Sequence, residues 1–342
     1  MIKIKRFICV EVFKLKKKIV IHVGYPKTGT TTLQKHFFPK VENYTFIGRC
    51  KSEEYMDRYK LIASDSFINL ILEDFVDFNQ NRIKDTILNH HSTSFIISEE
   101  NFLALSFREN LFKGRRVVPD FLLSAKKLRD VFDLDKFDVK IIFTIRRQQD
   151  LIPSLYAQSY TKSYSKSSEY NSFAKFLSYF ETKRCNELNK LIDFNFVVDE
   201  YIKLFGYENI KVYLAEELFE NPELFYKNLI YDFGFNVDLN EVDFKVKENV
   251  RFESGYRKAD NLTLVGYLRH FKSNYFPESR IKIPRLAKKH LDKLILKNND
   301  SFSKTIILDN DQKKKIKENY LESNKEISKK LKLSLKNYDY FL

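Results

Sequence analysis

Four short apolar runs, 19–23 (IVIHV), 94–98 (SFIIS), 139–145 (VKIIFTI) and 209–214 (NIKVYL), read as strands buried on both faces. Between them the spacing becomes helical, over 30–38, 120–132, 150–160 and 172–190. Strands of this length alternating with helices build βαβ units, so the pattern predicts an α/β fold with a parallel sheet covered by helices on both sides. From about residue 216 the chain reads as helical with irregular connections. Within that part Ile316, Tyr320, Ile327 and Leu331 form one stripe, which predicts an amphipathic helix over 311–335 with its lysines on the solvated face. No internal repeat or low-complexity linker interrupts the chain. Residues 19–342 are therefore expected to form a single domain, preceded by a lead-in over 1–18.

In parallel sheets ligands bind beyond the carboxyl ends of the strands. Gly24, Glu99–Glu100 and Arg146 each fall just past a predicted strand end, and so at one edge of one sheet. The first of these ends is the most informative. Residues 19–33, IVIHVGYPKTGTTTL, run from an apolar strand through a glycine-flanked turn into a helix. Such a turn is a phosphate-binding loop, because successive backbone N–H groups point into one concavity and the helix adds its positive end. The nucleotide-hydrolase version, GxxxxGK[ST], carries its lysine directly after the second glycine. Here that position is Thr30, and the loop lysine, Lys27, sits inside the turn. It approaches the ligand from another side, which points to a different donor group.

The loop as it stands, Pro26-Lys27-Thr28-Gly29-Thr30-Thr31, resembles the PK[ST]GTT donor loop of the sulfotransferase family. A second segment strengthens the resemblance. In 139–158, VKIIFTIRRQQDLIPSLYAQ, a strand ends in Arg146-Arg147, Asp150 stands where a helix could begin, and Ser154 follows Arg146 by eight residues. An arginine fork and a hydroxyl can close on one phosphate from two sides. Sulfotransferases hold the 3′-phosphate of their donor with an arginine at a strand end and a serine eight residues later, and RRQQDLIPSLYAQ is similar to bacterial members. The resemblance implies a P-loop-type fold and 3′-phosphoadenosine 5′-phosphosulfate as co-substrate, with no metal. It also implies that Tyr25, Pro26, Lys27, Thr28, Gly29, Thr30, Thr31, Thr32, Arg146 and Ser154 form the donor site.

Two catalytic roles follow. Negative charge grows on the oxygen between sulfur and the 5′-phosphate as that bond breaks, and a lysine aimed there, Lys27, acts more strongly in the transition state than in the ground state. The acceptor hydroxyl needs a base. Strand 94–98 runs into Ser98-Glu99-Glu100-Asn101, and Glu100 matches a family glutamate in a pattern like S-x-E-N; Glu99 is the alternative. His22 and His36 read as structural. A late loop with Asn249, Arg251 and Ser254 could close over the nucleotide, or be plain surface. The tyrosines of 159–172 could stack on sugar faces, or belong to a solvated turn.

The formal charge of +14 suits an acidic ligand such as a nucleotide or anionic glycan, and equally a solvated lysine surface. Cys9, Cys50 and Cys185 are widely spaced, without metal-ligand pattern, and read as free thiols of a reducing compartment, so a cytoplasmic location is expected. No apolar run approaches the roughly 20 residues a spanning helix needs. The start, MIKIKRFICVEVFKLKKK, lacks a small-residue cleavage site and allows at most peripheral contact with a membrane. The acceptor is expected to be a glycan or glycolipid, with no nucleic-acid partner. The competing readings are a P-loop kinase of a sugar or nucleotide, disfavoured by the lysine position and the lack of acidic Mg²⁺ ligands, and a non-catalytic binder of anionic polymer.

Overall fold

The computed structural model of this 342-residue chain describes residues 15–48, 80–100, 102–103, 121–160, 172–181, 186–246, 262–264, 268, 290–291, 295–297, 306 and 308–342. Cys9, Cys50, Cys185, Asn249, Arg251, Ser254, most of 159–172 and most of the expected lead-in lie outside them.

The predicted α/β class is what the chain adopts. Five parallel strands lie in the order β2-β3-β1-β4-β5: β1 Lys17–His22, β2 Thr45–Gly48, β3 Ser94–Ser98, β4 Phe137–Ile145 and β5 Ile210–Leu214. The four strands expected from the apolar runs are present with ends shifted by up to two residues. β2 has only four residues and was not foreseen. The register sets β1 level with β3 (His22 opposite Ser98) and lets β4 and β5 run three residues further, with His22 opposite Ile142 and Ile145 opposite Leu214. Arg146 thus emerges abreast of the turn that follows β1.

Side chains alternate between two cores, as a sheet buried on both faces requires. Ile19, Ile21, Phe95, Ile97, Ile141 and Phe143 share one cluster with residues of α3 (Phe121–Val131), α7 (Phe194–Phe205) and α10 (Asn310–Leu331). Val20, Ile96, Ile142 and Tyr213 share the other with Leu33, Phe37 and Phe38, and with α9 (Pro222–Phe233). Burying each such side chain contributes about 1.5–3 kcal/mol, so both layers are held firmly to the sheet.

The helices refine the expected boundaries. α1 (Thr30–Thr32) continues as a π turn over Leu33–Phe37 and a 3₁₀ turn over Phe38–Lys40, one unbroken helical run behind the loop. α2 (Gln80–Asn89) precedes β3, and α4 (Gln148–Tyr160) follows β4 with Asp150 in its first turn. Of the stretch 172–190, the described residues include α5 (Phe173–Glu181) and the start of α6 (Asn186–Ile192). α8 (Ala215–Glu220) follows β5 directly. A two-stranded antiparallel pair, β6 (Leu262–Thr263) and β7 (Ile295–Lys297), stands apart from the main sheet. The amphipathic helix begins at a capping box, in which Asp309 accepts from the Gln312 N–H (2.8 Å) and Gln312 accepts from the Asp309 N–H (3.0 Å). Ile316, Tyr320 and Ile327 of its stripe are buried, and Leu331 packs against the same core at its edge. No described helix is long and apolar enough to cross a membrane.

Candidate functional site

Beyond β1 the chain reverses through three residues with positive φ: Gly24 (24°), Lys27 (70°) and Gly29 (85°). A Cβ at Gly29 would lie 2.5 Å from Leu218 Cδ2, and one at Gly24 would lie 2.5 Å from Thr30 Cγ2, so a side chain at either position would have to displace that methyl and adopt a backbone conformation that favours glycine. Lys27 takes the left-handed conformation without glycine's freedom, at a cost of about 1–2 kcal/mol. Strain of this kind collects at ligand sites. The Thr28 hydroxyl donates to the Tyr25 carbonyl (2.6 Å) and braces the turn from within. The Leu33 N–H donates to Gly29 O (3.2 Å) and starts the helical run.

The loop residues differ in what they offer a ligand. Tyr25 is fully buried with its ring edge-on to Phe194 (5.1 Å between centroids), so it can serve a ligand through its backbone and not its ring. Pro26, Thr28, Thr30 and Thr32 are also buried, whereas Lys27, Gly29 and Thr31 are part-exposed. The open side of the turn is therefore backbone, the Thr31 hydroxyl and the Lys27 side chain.

Two other strand ends reach this turn. The Arg146 guanidinium donates to the Lys27 carbonyl (3.1 Å) and lies over the Phe219 ring at 5.6 Å. Arg147 goes the other way, to Asp150, to the Tyr338 carbonyl (3.3 Å) and to Asp339 (3.7 Å). Of the arginine pair, Arg146 is the one that faces the loop. Ser154 lies buried on α4, between Pro153 and Leu155.

From β3, Glu100 accepts a hydrogen bond from the Thr30 hydroxyl (3.0 Å). Ile96 and Ser98 face the helical run behind the loop, and in the turn after β3 the Thr30 hydroxyl holds Glu100 on that same side. One helical turn separates Thr30 from Gln34, and the two side chains donate to Glu100 and Ser98 respectively. Glu99 is buried, at 4% exposure, and its N–H extends the ladder to His22 O (3.2 Å). The alternative base is the enclosed member of the pair. Among the described residues no group of three or more His, Cys, Asp or Glu side chains is arranged to hold a metal ion.

No protein-family model matches the chain, and no curated protein matches it in sequence. Its structure is similar to those of solved sulfotransferases. The enzyme from Alicyclobacillus acidocaldarius aligns over 69% of this chain and 87% of its own, at 15% identity and a TM-score of 0.40. The sulfotransferase domain from the curacin biosynthetic pathway aligns over 68% and 79%, at 11% identity and 0.39. Mouse sulfotransferase SULT7A1, solved in complex with PAP, aligns over 92% and 88%, at 13% identity and 0.40. Overlap of this extent concerns the general course of the chain; what the site can do is set by its residues.

Beneath the loop lies a polar tie. His22, fully buried at the end of β1, meets Ser98 Oγ (2.7 Å) through Nδ1 and Thr144 Oγ1 (3.3 Å) through Nε2. Gln34 donates to both Ser98 Oγ and Ser98 O, each at 3.1 Å. The ends of β1, β3 and β4 and the first helical turns are thereby joined in the layer below the residues just described. His36, by contrast, is part-exposed on the π turn. Burial pushes the His22 imidazole down from 6.5 to about 3, so it is neutral in the folded protein. Unfolded chains protonate it below about pH 6.5, so its contribution to stability is complete above that pH and is lost as pH falls toward about 3. The slope approaches about 1.4 kcal/mol per pH unit. Urea unfolding at pH 7 and pH 5 should therefore show the wild type losing about 2 kcal/mol more than His22→Gln. Equal losses would show that His22 does not titrate on unfolding.

Three residues that sequence reasoning missed complete the surroundings, all from α8. Leu218 fills the space over Gly29, Phe219 supports Arg146, and Glu216 accepts from the Arg147 N–H (3.1 Å) and the Tyr340 hydroxyl (2.9 Å). Burial raises the Glu216 carboxyl above its usual range, against the opposing pull of those donors and of the Arg146 charge. The signal available was positional: α8 follows the end of β5, at the same sheet edge as the loop.

Proposed function

We propose that the chain is a sulfotransferase, moving the sulfuryl group of 3′-phosphoadenosine 5′-phosphosulfate to a hydroxyl of a glycan or glycolipid in the cytoplasm. The observation that carries this reading is the meeting of three strand ends at one loop, where Thr30 binds Glu100 and Arg146 binds the Lys27 carbonyl. A phosphate-binding turn, a lysine within it, a strand-end arginine and a carboxylate are the parts that such a transfer needs. The loop amides and Thr31 would hold the 5′-phosphate. Arg146 and Ser154 would hold the 3′-phosphate, the guanidinium by paired hydrogen bonds.

In the reaction the acceptor oxygen bonds to sulfur, and the bond from sulfur to the 5′-phosphate oxygen breaks. The electron pair stays on that oxygen, where Lys27 stabilises the growing charge. The acceptor's proton passes to Glu100. Positioning and electrostatics supply the acceleration, as in phosphoryl transfer.

The donor assignment has a direct test. The protein should bind 3′-phosphoadenosine 5′-phosphate much more tightly than AMP. A charged hydrogen bond is worth about 1.5–3 kcal/mol, so Arg146→Ala should weaken the bisphosphate about ten- to a hundred-fold and AMP hardly at all. Equal wild-type affinity for the two nucleotides would remove the assignment.

A further inference from the structure

Residues 335–342 fold back onto the corner between β4 and α4 and onto the neighbouring helices α8 and α10. The Tyr338 and Asp339 carbonyls accept from Arg147 (3.3 Å) and Gln149 (2.6 Å). The Phe341 carbonyl accepts from Asn324 (3.1 Å), which also exchanges amide hydrogen bonds with the buried Gln148 at 2.9 and 3.1 Å. Between them the buried ring of Tyr340 delivers its hydroxyl to Glu216 Oε2 (2.9 Å), while Glu216 Oε1 takes the Arg147 N–H (3.1 Å). One enclosed carboxylate thus links this segment to the peptide unit joining Arg146 to Arg147. Because that unit is planar, holding its N–H also holds the Arg146 carbonyl and Cα, the point from which the Arg146 side chain starts.

We propose that residues 335–342 are a positioning element for Arg146, and that Tyr340 through Glu216 sets how strongly the site prefers a 3′-phosphorylated nucleotide. This rests on the donor reading above. The segment acts in two ways. It engages Arg147, with Asp150, on the side away from the loop, which leaves Arg146 as the arginine directed at the ligand. It also supplies the side-chain hydroxyl that donates to Glu216 beside backbone N–H groups. Without the Tyr340 hydroxyl that carboxylate would lose a side-chain partner in a buried site; of the two arginines beside it, Arg147 is engaged by Asp150 and the segment, which leaves the Arg146 guanidinium as the cation to replace it. An Arg146 drawn to Glu216 is withdrawn from the 3′-phosphate.

The test is calorimetric titration of wild type and Tyr340→Phe with 3′-phosphoadenosine 5′-phosphate and with AMP. In the variant the affinity ratio between the two should fall about tenfold while AMP binding changes by less than about twofold. A purely structural role would weaken both nucleotides alike, and an unchanged ratio would overturn the proposal. If circular dichroism shows that Tyr340→Phe does not fold, Gln149→Ala reads the same ratio from the surface side of the contact. There a fall of about threefold is expected, and no fall overturns the proposal. A wild-type ratio near one would instead remove the donor reading itself, and the segment's role with it.

Discussion

Glu100→Gln should lower turnover by about 10²–10⁴-fold and leave affinity for 3′-phosphoadenosine 5′-phosphate within a few-fold. Glutamine keeps the size of the side chain and can still accept from the Thr30 hydroxyl, so the contact between strand end and loop survives. What it loses is the ability to take the acceptor's proton. Glu99→Gln should keep turnover near the wild-type rate, because Glu99 lies enclosed where its N–H closes the ladder to His22. Steady-state kinetics on the two variants decides between them. If Glu99→Gln is the inactive one, the base is the buried neighbour; if both stay active, deprotonation comes from another residue.

Lys27→Ala should lower turnover by about 10²–10³-fold, the usual loss when one donor to a developing oxyanion is removed. Product affinity should fall far less, because the charge that Lys27 meets is largest in the transition state. The substitution is well controlled by the backbone. Alanine and lysine both carry a Cβ, so the cost of a φ of 70° is the same before and after. The Lys27 carbonyl, which accepts from Arg146, is also retained. Comparing single-turnover rates with product binding separates the two effects. Near-normal turnover in Lys27→Ala would take this lysine out of the mechanism.

The sheet was legible because its strands are continuous apolar runs and its helices keep helical spacing. β2 was missed because TFIG is short, sits at the sheet edge and has no periodicity to mark it. At the site, Gly24, Lys27 and Gly29 announce their turn locally, since the spacing of small and positive-φ residues lies within a few positions. Which of Glu99 and Glu100 reaches the loop depends on where Thr30 and Gln34 point. Arg146 is marked by its spacing to Ser154, but that Arg147 turns away to Asp339, almost two hundred residues on, has no local signal. Glu216, Phe219 and Tyr340 carry no local motif at all. Their parts come from sheet order and from the return of residues 335–342, which only the folded chain brings together.

The central claim is the identity of the donor, and calorimetric titration tests it most directly, with 3′-phosphoadenosine 5′-phosphate in metal-free buffer set against ATP with Mg²⁺. The account predicts saturable binding of the bisphosphate without metal, and no displacement of it by ATP with Mg²⁺ at equal concentration. Tight binding of ATP with Mg²⁺ and none of the bisphosphate would contradict it, and would make the loop that of a kinase.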